Sequence, residues 1–349
     1  MIRFLLVVSL LLSLSACIEP IALSLENEAG ILVVEGVITN GPGPHKVSLS
    51  RTVSGQRLPE PVSAAQVFLL DDQGNSFAYF QEVPGEHILP FGAVNAFPGA
   101  AYWIQIVLPD GTTYESVPEK LTGLLARDTA YYDFTTTTEI NENGIAITSN
   151  NIESYIDSDI PSSDEPLYFR WEMEEAYEFK PTDFPDPFGL TPDPCYFVKN
   201  PDPQRINLFN SLEARSGTIE KRLLARRDVD AALLHRYFIV VDQFALTVEA
   251  YQYWDNVRKN IEQTGSIFDI PPATVRGNIQ NIADPSETVY GYFGASLMTT
   301  TRTEVRGSDV PNFVADQCAF QGGAPFTRFP AICLDCSSAN FSTRKPDYF

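Results

Sequence analysis

Carboxylates are the natural place to look for chemistry in this chain, because 45 Asp and Glu stand against 24 Lys and Arg and only 3 His. Glu172, Glu174, Glu175 and Glu178 lie close enough in sequence to supply the paired carboxyls of a glycoside hydrolase. Glu172 and Glu174, however, fall two residues apart in a run with strand alternation, on the polar side of one strand, where a solvated face is ordinary. Asp157, Asp159, Asp164 and Glu165 could gather calcium in a surface loop, but their spacing lacks the alternation and central Gly of a calcium-binding loop. His45, His87 and His235 sit on or beside expected strands with no neighbouring His, as surface or satisfied sheet residues do. The chain has no Gly-x-Ser-x-Gly elbow, no phosphate loop, no Gly-x-Gly-x-x-Gly and no His-Glu-x-x-His. The expectation is a protein that is not an enzyme, with no resident metal and no cofactor beyond a covalent lipid.

That lipid is expected at Cys17. Met1-Ile2-Arg3 is a basic start, and Phe4 to Leu14 is an apolar run too short to cross a bilayer, which takes roughly 20 residues. Leu14-Ser15-Ala16-Cys17 resembles the bacterial lipoprotein processing box. Residues 1–16 read as a signal peptide and 17–28 as lipid anchor and tether, with palmitate-type acylation of Cys17. Each buried methylene contributes about 0.8 kcal/mol, so one acyl chain holds marginally and two or three hold durably. Glu19, two residues past Cys17, resembles a surface-export signal. The expected place is the outer membrane, lipid-anchored, at the cell surface, with the periplasmic face as the alternative.

With Cys17 lipidated, Cys195, Cys318, Cys333 and Cys336 remain, an even number in an exported chain, and two disulfides are expected. Three connectivities are open. A redox pair at Cys333 and Cys336 would want a helix start after a strand, and a four-thiolate zinc site usually comes as two close pairs. Neither context is present around these residues.

The elements that position these groups are mostly strands. A length of 349 residues fits two domains, and 44% hydrophobic with 12% aromatic residues excludes a disordered acidic tail. A net charge of -21 disfavours nucleic acid as a partner. Residues 31–38, 46–51, 66–70, 101–108 and 112–117 read as short strands between turn signals, with clean period-two alternation in 46–51. They give a mainly β fold, with an N-terminal β-sandwich of immunoglobulin-like or transthyretin-like type over 29–122. Residues 123–349 read as a fibronectin III-like sandwich ending in disulfide-stapled loops. In it Leu167, Phe169, Trp171 and Met173 point one way and Tyr168, Arg170, Glu172 and Glu174 the other. Residues 237–245 form another strand there, and 289–305 a long strand or hairpin. One helix is expected over about 248–264, capped by Thr247 and stopped by Gly265, with Ala250, Trp254, Val257 and Ile261 on one face. Residues 181–203 hold seven prolines among aromatic residues, a stretch expected not to build a ladder. It reads as a wrap over the sandwich end or a ligand-gripping loop, with Phe184, Phe188 and Tyr196, together with Trp254, as ligand- or partner-binding candidates.

Beyond Cys17-Ile18-Glu19-Pro20 and the 32–52 strand pair with Gly43-Pro44-His45, further motifs run in order along the chain. They are Tyr253-Trp254, Ser266-Ile267-Phe268-Asp269, Pro271-Pro272, Gly277-Asn278-Ile279, Gly291-Tyr292-Phe293, Cys333-Leu334-Asp335-Cys336 and Lys345-Pro346-Asp347-Tyr348. In these the chain resembles a bacterial lipoprotein family of the Bacteroidetes outer membrane labelled domain of unknown function 4249. The resemblance implies an accessory or ligand-capturing partner of a TonB-dependent transporter in nutrient uptake. Its ligand would be an unidentified small molecule, peptide or glycan. The alternative is a structural or adhesive envelope module binding another protein or a glycan.

Overall fold

Apolar residues on alternate positions make strands with one buried face. In Ala101–Val107 the side chains of Tyr102, Ile104 and Ile106 are buried while their neighbours are half-exposed. The computed structural model describes residues 29–54, 58–141, 143–181, 193–213, 217–263, 275–310 and 345–349, with 314–316, 318, 319, 330, 333, 334 and 336. The signal peptide, the tether with Cys17, and Phe184 and Phe188 lie outside the described residues.

The strands in chain order begin with β1 (Leu32–Thr39), β2 (His45–Arg51), β3 (Glu60–Pro61), β4 (Gln66–Asp71), β5 (Ser76–Ala78), β6 (Phe80–Val83) and β7 (Glu86–Leu89). They continue with β8 (Ala101–Val107), β9 (Thr113–Ser116), β10 (Glu119–Lys120), β11 (Arg127–Ile140), β12 (Ala146–Asp159), β13 (Tyr168–Phe179) and β14 (Cys195–Lys199). After these come β15 (Asn207–Asn210), β16 (Thr218–Asp228), β17 (Tyr237–Leu246), the helix α1 (Val248–Gln263), β18 (Ile279–Asn281), β19 (Tyr290–Ser296) and β20 (Met298–Val305).

Two sheets enclose the first core. One runs β19-β1-β2-β7-β6 with β3 on β2, the other β18-β9-β8-β4-β5 with β10 on β8. Leu32, Val34, Ile38, Leu49, Leu69, Ile104 and Phe293 fill the space between them. The second core lies between the three-stranded sheet β11-β12-β16 and the five-stranded sheet β14-β13-β17-β20, where β15 also pairs with β13. Ile152, Ile156, Phe169, Trp171, Ile239 and Val241 form its centre. The architecture is thus mainly β and sandwich-like in both halves, with one inserted helix.

The structure corrects the sequence reading at 289–305. These residues do not form one element of the second sandwich; the chain divides at Leu297, which packs against both cores. β20 pairs with β17, whereas β19 runs parallel to β1 with Val34 opposite Gly291 and Ile38 opposite Ala295. Gly291 makes this approach feasible: its φ is +91°, and a Cβ there would lie 2.0 Å from the Val34 carbonyl oxygen. β18 likewise pairs with β9, so residues 279–296 complete the first core rather than the second. The first unit is therefore built from two separated stretches, and the chain crosses the division expected near 122.

Residues 181–203 need a second correction. Cys195–Lys199 does build a ladder, opposite Glu175–Phe179. The prolines fall outside these five residues, so every amide there can donate. Cys195 is joined to Cys336 and Cys318 to Cys333, and all four sulfurs sit in the second core.

Helix α1 forms as its sequence dictates: the Ala250 amide donates to Thr247 Oγ1 at 3.1 Å, capping the first turn. It lies where the two units meet, with Tyr253 stacked on Tyr292 of β19 at 4.8 Å and Tyr251 on Tyr168 of β13 at 4.8 Å. Below it Glu119 accepts hydrogen bonds from Tyr292 Oη and from Thr247 Oγ1. Burial pushes the Glu119 carboxyl above its usual range, against the pull of those two hydroxyls.

Candidate functional site

The central strand of the second unit, β13, is continuous with β17 along one edge from Tyr168 to Tyr177. Along its other edge β15 covers Tyr168–Trp171 and β14 covers Glu175–Phe179, so residues 172–174 have no strand partner there among the described residues. Between those strands the chain makes the excursion 200–206, where Pro201 and Pro203 cannot donate to a ladder. The sheet therefore carries a notch. Leu224 and Ala225 of β16 lie on one side of it, and Trp254, Val257 and Ile261 of α1 on the other, around a cavity of about 280 Å³. Through the shared residues Asp202, Arg205, Ile206 and Asn207 it adjoins a second cavity of about 460 Å³ lined by Arg222, Arg258 and Glu262.

Four guanidinium groups meet at this cleft. Arg170, on the helix-facing side of β13, is almost fully buried, with its Cζ 3.9 Å from the Trp254 ring centroid and 5.2 Å from that of Phe244. It pairs with Glu172 at 2.5 Å, and its buried Nε has no partner among the described residues. Arg222 lies over the Trp171 ring and donates through Nη2 to the Leu208 carbonyl. Arg205 donates to Asn207 Oδ1 at 3.2 Å and to the Leu223 carbonyl at 3.0 Å. Arg258 is held by Asp255 at 2.5 Å, a carboxylate that Lys259 shares at 2.6 Å. Burial, then the charges of Arg205 and Arg258, push Arg222 below its usual value. Among the described residues neither Arg205 nor Arg222 forms an ion pair.

The residues singled out from sequence divide between places. Trp254 is in the cleft. Tyr196, opposite Glu178 in β14, lies eight residues away along β13 from Arg170, about 26 Å at a strand's rise. It is buried with its ring edge against Phe349 at 5.2 Å, so it packs rather than faces the cleft. Glu172 and Glu174 share one face of one strand and do not oppose each other across a cleft; Asp242 stands opposite Glu172. Burial and neighbouring negative charge push the Glu174 and Asp242 carboxyls up, with Thr300 pulling Asp242 down. Asp157 Oδ1 accepts from Tyr131 Oη and from the Lys221 amide, and no cluster of three or more His, Cys, Asp or Glu among the described residues is arranged to hold a metal ion. His45 and His87 are buried sheet residues whose pKa burial lowers, against hydrogen bonds to the Gly41 and Ala65 backbone. Sequence reasoning missed the arginines. Their signal was present: Arg205, Arg215, Lys221, Arg222, Arg226 and Arg227 put six of the chain's 24 basic residues within 23 positions of an acidic protein.

A family model described as a domain of unknown function, DUF4249, matches residues 18–302. The chain belongs to this family. Among solved structures, this DUF4249 chain is similar to one described as the tetra-tandem repeat in the extending region of a large adhesion protein. The identity is 11% and the TM-score 0.18, with 80% of this chain and 50% of that one covered. The chain thus spans half the length of that structure, a likeness too slight to bear on function. No curated protein matches. Among the described residues no helix is long and apolar enough to cross a membrane.

Proposed function

We propose that this DUF4249 protein is an outer-membrane lipoprotein, tethered through Cys17 at the cell surface, that captures a ligand as the accessory partner of a TonB-dependent transporter. The observation that carries ligand capture is the notch in the five-stranded sheet, a cavity walled by fixed β-strands and roofed by α1. A rigid frame with a concave, partly apolar opening is what small-molecule sites share. The anchor is supported by the Leu14-Ser15-Ala16-Cys17 motif, and the envelope setting by the family. The polar side chains of the cleft are guanidiniums, amides and the carboxylates of Glu172, Asp202 and Glu262, and the reading assigns them binding and no catalytic step. Affinity isolation of the Cys17-anchored protein from native membranes tests the transporter partnership. Co-recovery of a β-barrel receptor is expected, and recovery of the protein alone refutes the partnership.

A second reading, an adhesive or structural envelope module, has one observation in its favour. The hairpin β11-β12 is paired over 14 positions, stiffened by side-chain hydrogen bonds between Thr136 and Asn150, Thr137 and Ser149, and Thr138 and Thr148. It ends in exposed Ile140, Ile145 and Ile147. Loss of attachment on deleting the hairpin tip, with nutrient uptake intact, would decide for this reading.

A further inference from the structure

We propose that the cleft beneath α1 binds a small ligand carrying at least two oxyanionic groups, with Arg205, Arg222 and Arg258 holding the oxyanions and the apolar stripe of α1 holding the rest of the molecule. This rests on the ligand-capture reading above but not on the transporter. The chain has 21 more acidic than basic side chains, and yet three guanidiniums gather at one cavity. Two of them, Arg205 and Arg222, have no carboxylate partner among the described residues, although Asp202 and Glu262 line the same cavity. Like charges at close quarters repel, and a guanidinium has five N–H donors. Arg222 engages backbone through one nitrogen, and Arg205 engages a backbone carbonyl and an amide oxygen, so both keep donors to offer.

Arginine's planar fork fits carboxylate and phosphate oxygens two at a time, which a strongly hydrated lysine does less well. Arg170 also lines the adjoining cavity, and its Nε and that of Arg258 are buried without a hydrogen-bond partner among the described residues. An unsatisfied donor at such a depth is costly unless a ligand or water meets it. Glu172 is already engaged by Arg170 and Asp255 by Arg258 and Lys259, so these acids do not neutralise Arg205 and Arg222. Charge is concentrated at the end lined by Arg222 and Arg258. Trp254, Val257 and Ile261 face the other end, which suits a ligand with anionic groups at one end and a flat or aliphatic body at the other. The two volumes fall in or near the range of small-molecule sites.

The competing explanation is that these arginines only stitch β15 to β16, because Arg222 reaches the Leu208 carbonyl and Arg205 that of Leu223. Titration calorimetry on the full chain with citrate and, separately, with pyrophosphate distinguishes the two. Binding of either probe is expected, citrate marking a polycarboxylate class and pyrophosphate a phosphate class. Arg205→Gln and Arg258→Gln are each expected to weaken that binding by about tenfold or more, the loss of one charged hydrogen-bonded contact. Arg205 is exposed, so its variant remains folded even where Arg222→Gln does not. Unliganded melting temperatures, measured alongside, show a purely structural role as a lowered midpoint with unchanged probe affinity. Failure of both probes to bind, or equal affinity in wild type and variants, overturns the proposal. Because the probes meet purified chain, binding without a co-isolated receptor removes only the transporter partnership, and a co-isolated receptor without probe binding removes only this site.

Discussion

Glu175 is expected to be the most damaging single position in the second unit. It sits on the inner face of β13 with its carboxylate sealed from water, opposite Lys199 of β14 and Ile239 of β17. Its Oε2 accepts from Arg227 Nη1 at 2.7 Å and from Tyr237 Oη at 2.5 Å, while Lys199 Nζ lies 3.3 Å from Oε1. Arg227 also holds Asp230 at 2.5 Å. Burial opposes the charge on Arg227, but Glu175, Tyr237 and Asp230 outweigh it and hold its pKa up. Glu175→Ala leaves a mostly buried guanidinium with the exposed Asp230 and the Asp228 carbonyl, and takes from a buried phenol hydroxyl the carboxylate it donates to. Breaking such a pair from one side costs about 3–5 kcal/mol, whereas replacing both partners by apolar groups is often near neutral. For a unit of about 200 residues each kcal/mol moves the melting midpoint by about 2–4 °C, so Glu175→Ala should lower it by roughly 6–20 °C. Scanning calorimetry of the full chain reads this directly. The double variant Glu175→Leu with Arg227→Met should regain most of the loss. A Glu175→Ala midpoint within about 2 °C of wild type, or additive losses in the double variant, would refute the reasoning.

Three further outcomes are expected. Cys195→Ser with Cys336→Ser removes a link across 141 residues and should cost about 5 kcal/mol, against about 3 kcal/mol for the 15-residue link Cys318–Cys333; thermal melts with and without reductant check the order. Gly291→Ala forces a Cβ onto the Val34 carbonyl and should detach β19 from β1, seen as fast hydrogen exchange across 290–296. Glu119 carries a raised carboxyl pKa, so the folded state keeps a proton that the unfolded chain loses near pH 4.3, and the stability it contributes at low pH falls as pH climbs from about 4.3 through the raised value. Glu119→Gln should therefore show a shallower fall of midpoint with pH over that window than wild type, and parallel curves would sink the assignment.

Local pattern made much of this fold legible, and the reason is the depth of the apolar contrast along single elements. The alternation from Leu167 to Glu174 places Phe169, Trp171 and Met173 in the core, and Thr247 caps the helix where its hydroxyl meets the Ala250 amide. Pairings between distant segments carry no such local mark. The partner of β1 on one edge, β19, lies about 250 residues further on, and nothing in Tyr290–Ser296 alone distinguishes a strand of the first sheet from one of the second. The short β14 was hidden by the prolines on both sides, although its own five residues are apolar enough to pair.

The site escaped the sequence for a related reason: polarity was read as exposure. Tyr168, Arg170, Glu172 and Glu174 do share the outer face of β13, where Glu172 and Glu174 keep exposed surface although neighbours partly desolvate the Glu174 carboxyl. Arg170 is on the same face and is buried, because α1 returns over that end of the strand and lays Trp254 on its guanidinium. A period-two pattern states which side of a sheet a residue takes, not whether another element later covers that side. Trp254 could be named from helical periodicity, but its role follows from Arg170, some 84 positions earlier in the chain, and from Arg205 and Arg222, which reach the cleft from two other elements. In a chain this acidic a cluster of basic residues is the informative deviation, because the background charge would satisfy each arginine singly at the surface. Arg205 and Arg222 instead turn toward one cavity and form no ion pair there among the described residues, although Asp202 and Glu262 share its lining, and this local gathering of guanidiniums is what the citrate and pyrophosphate probes address.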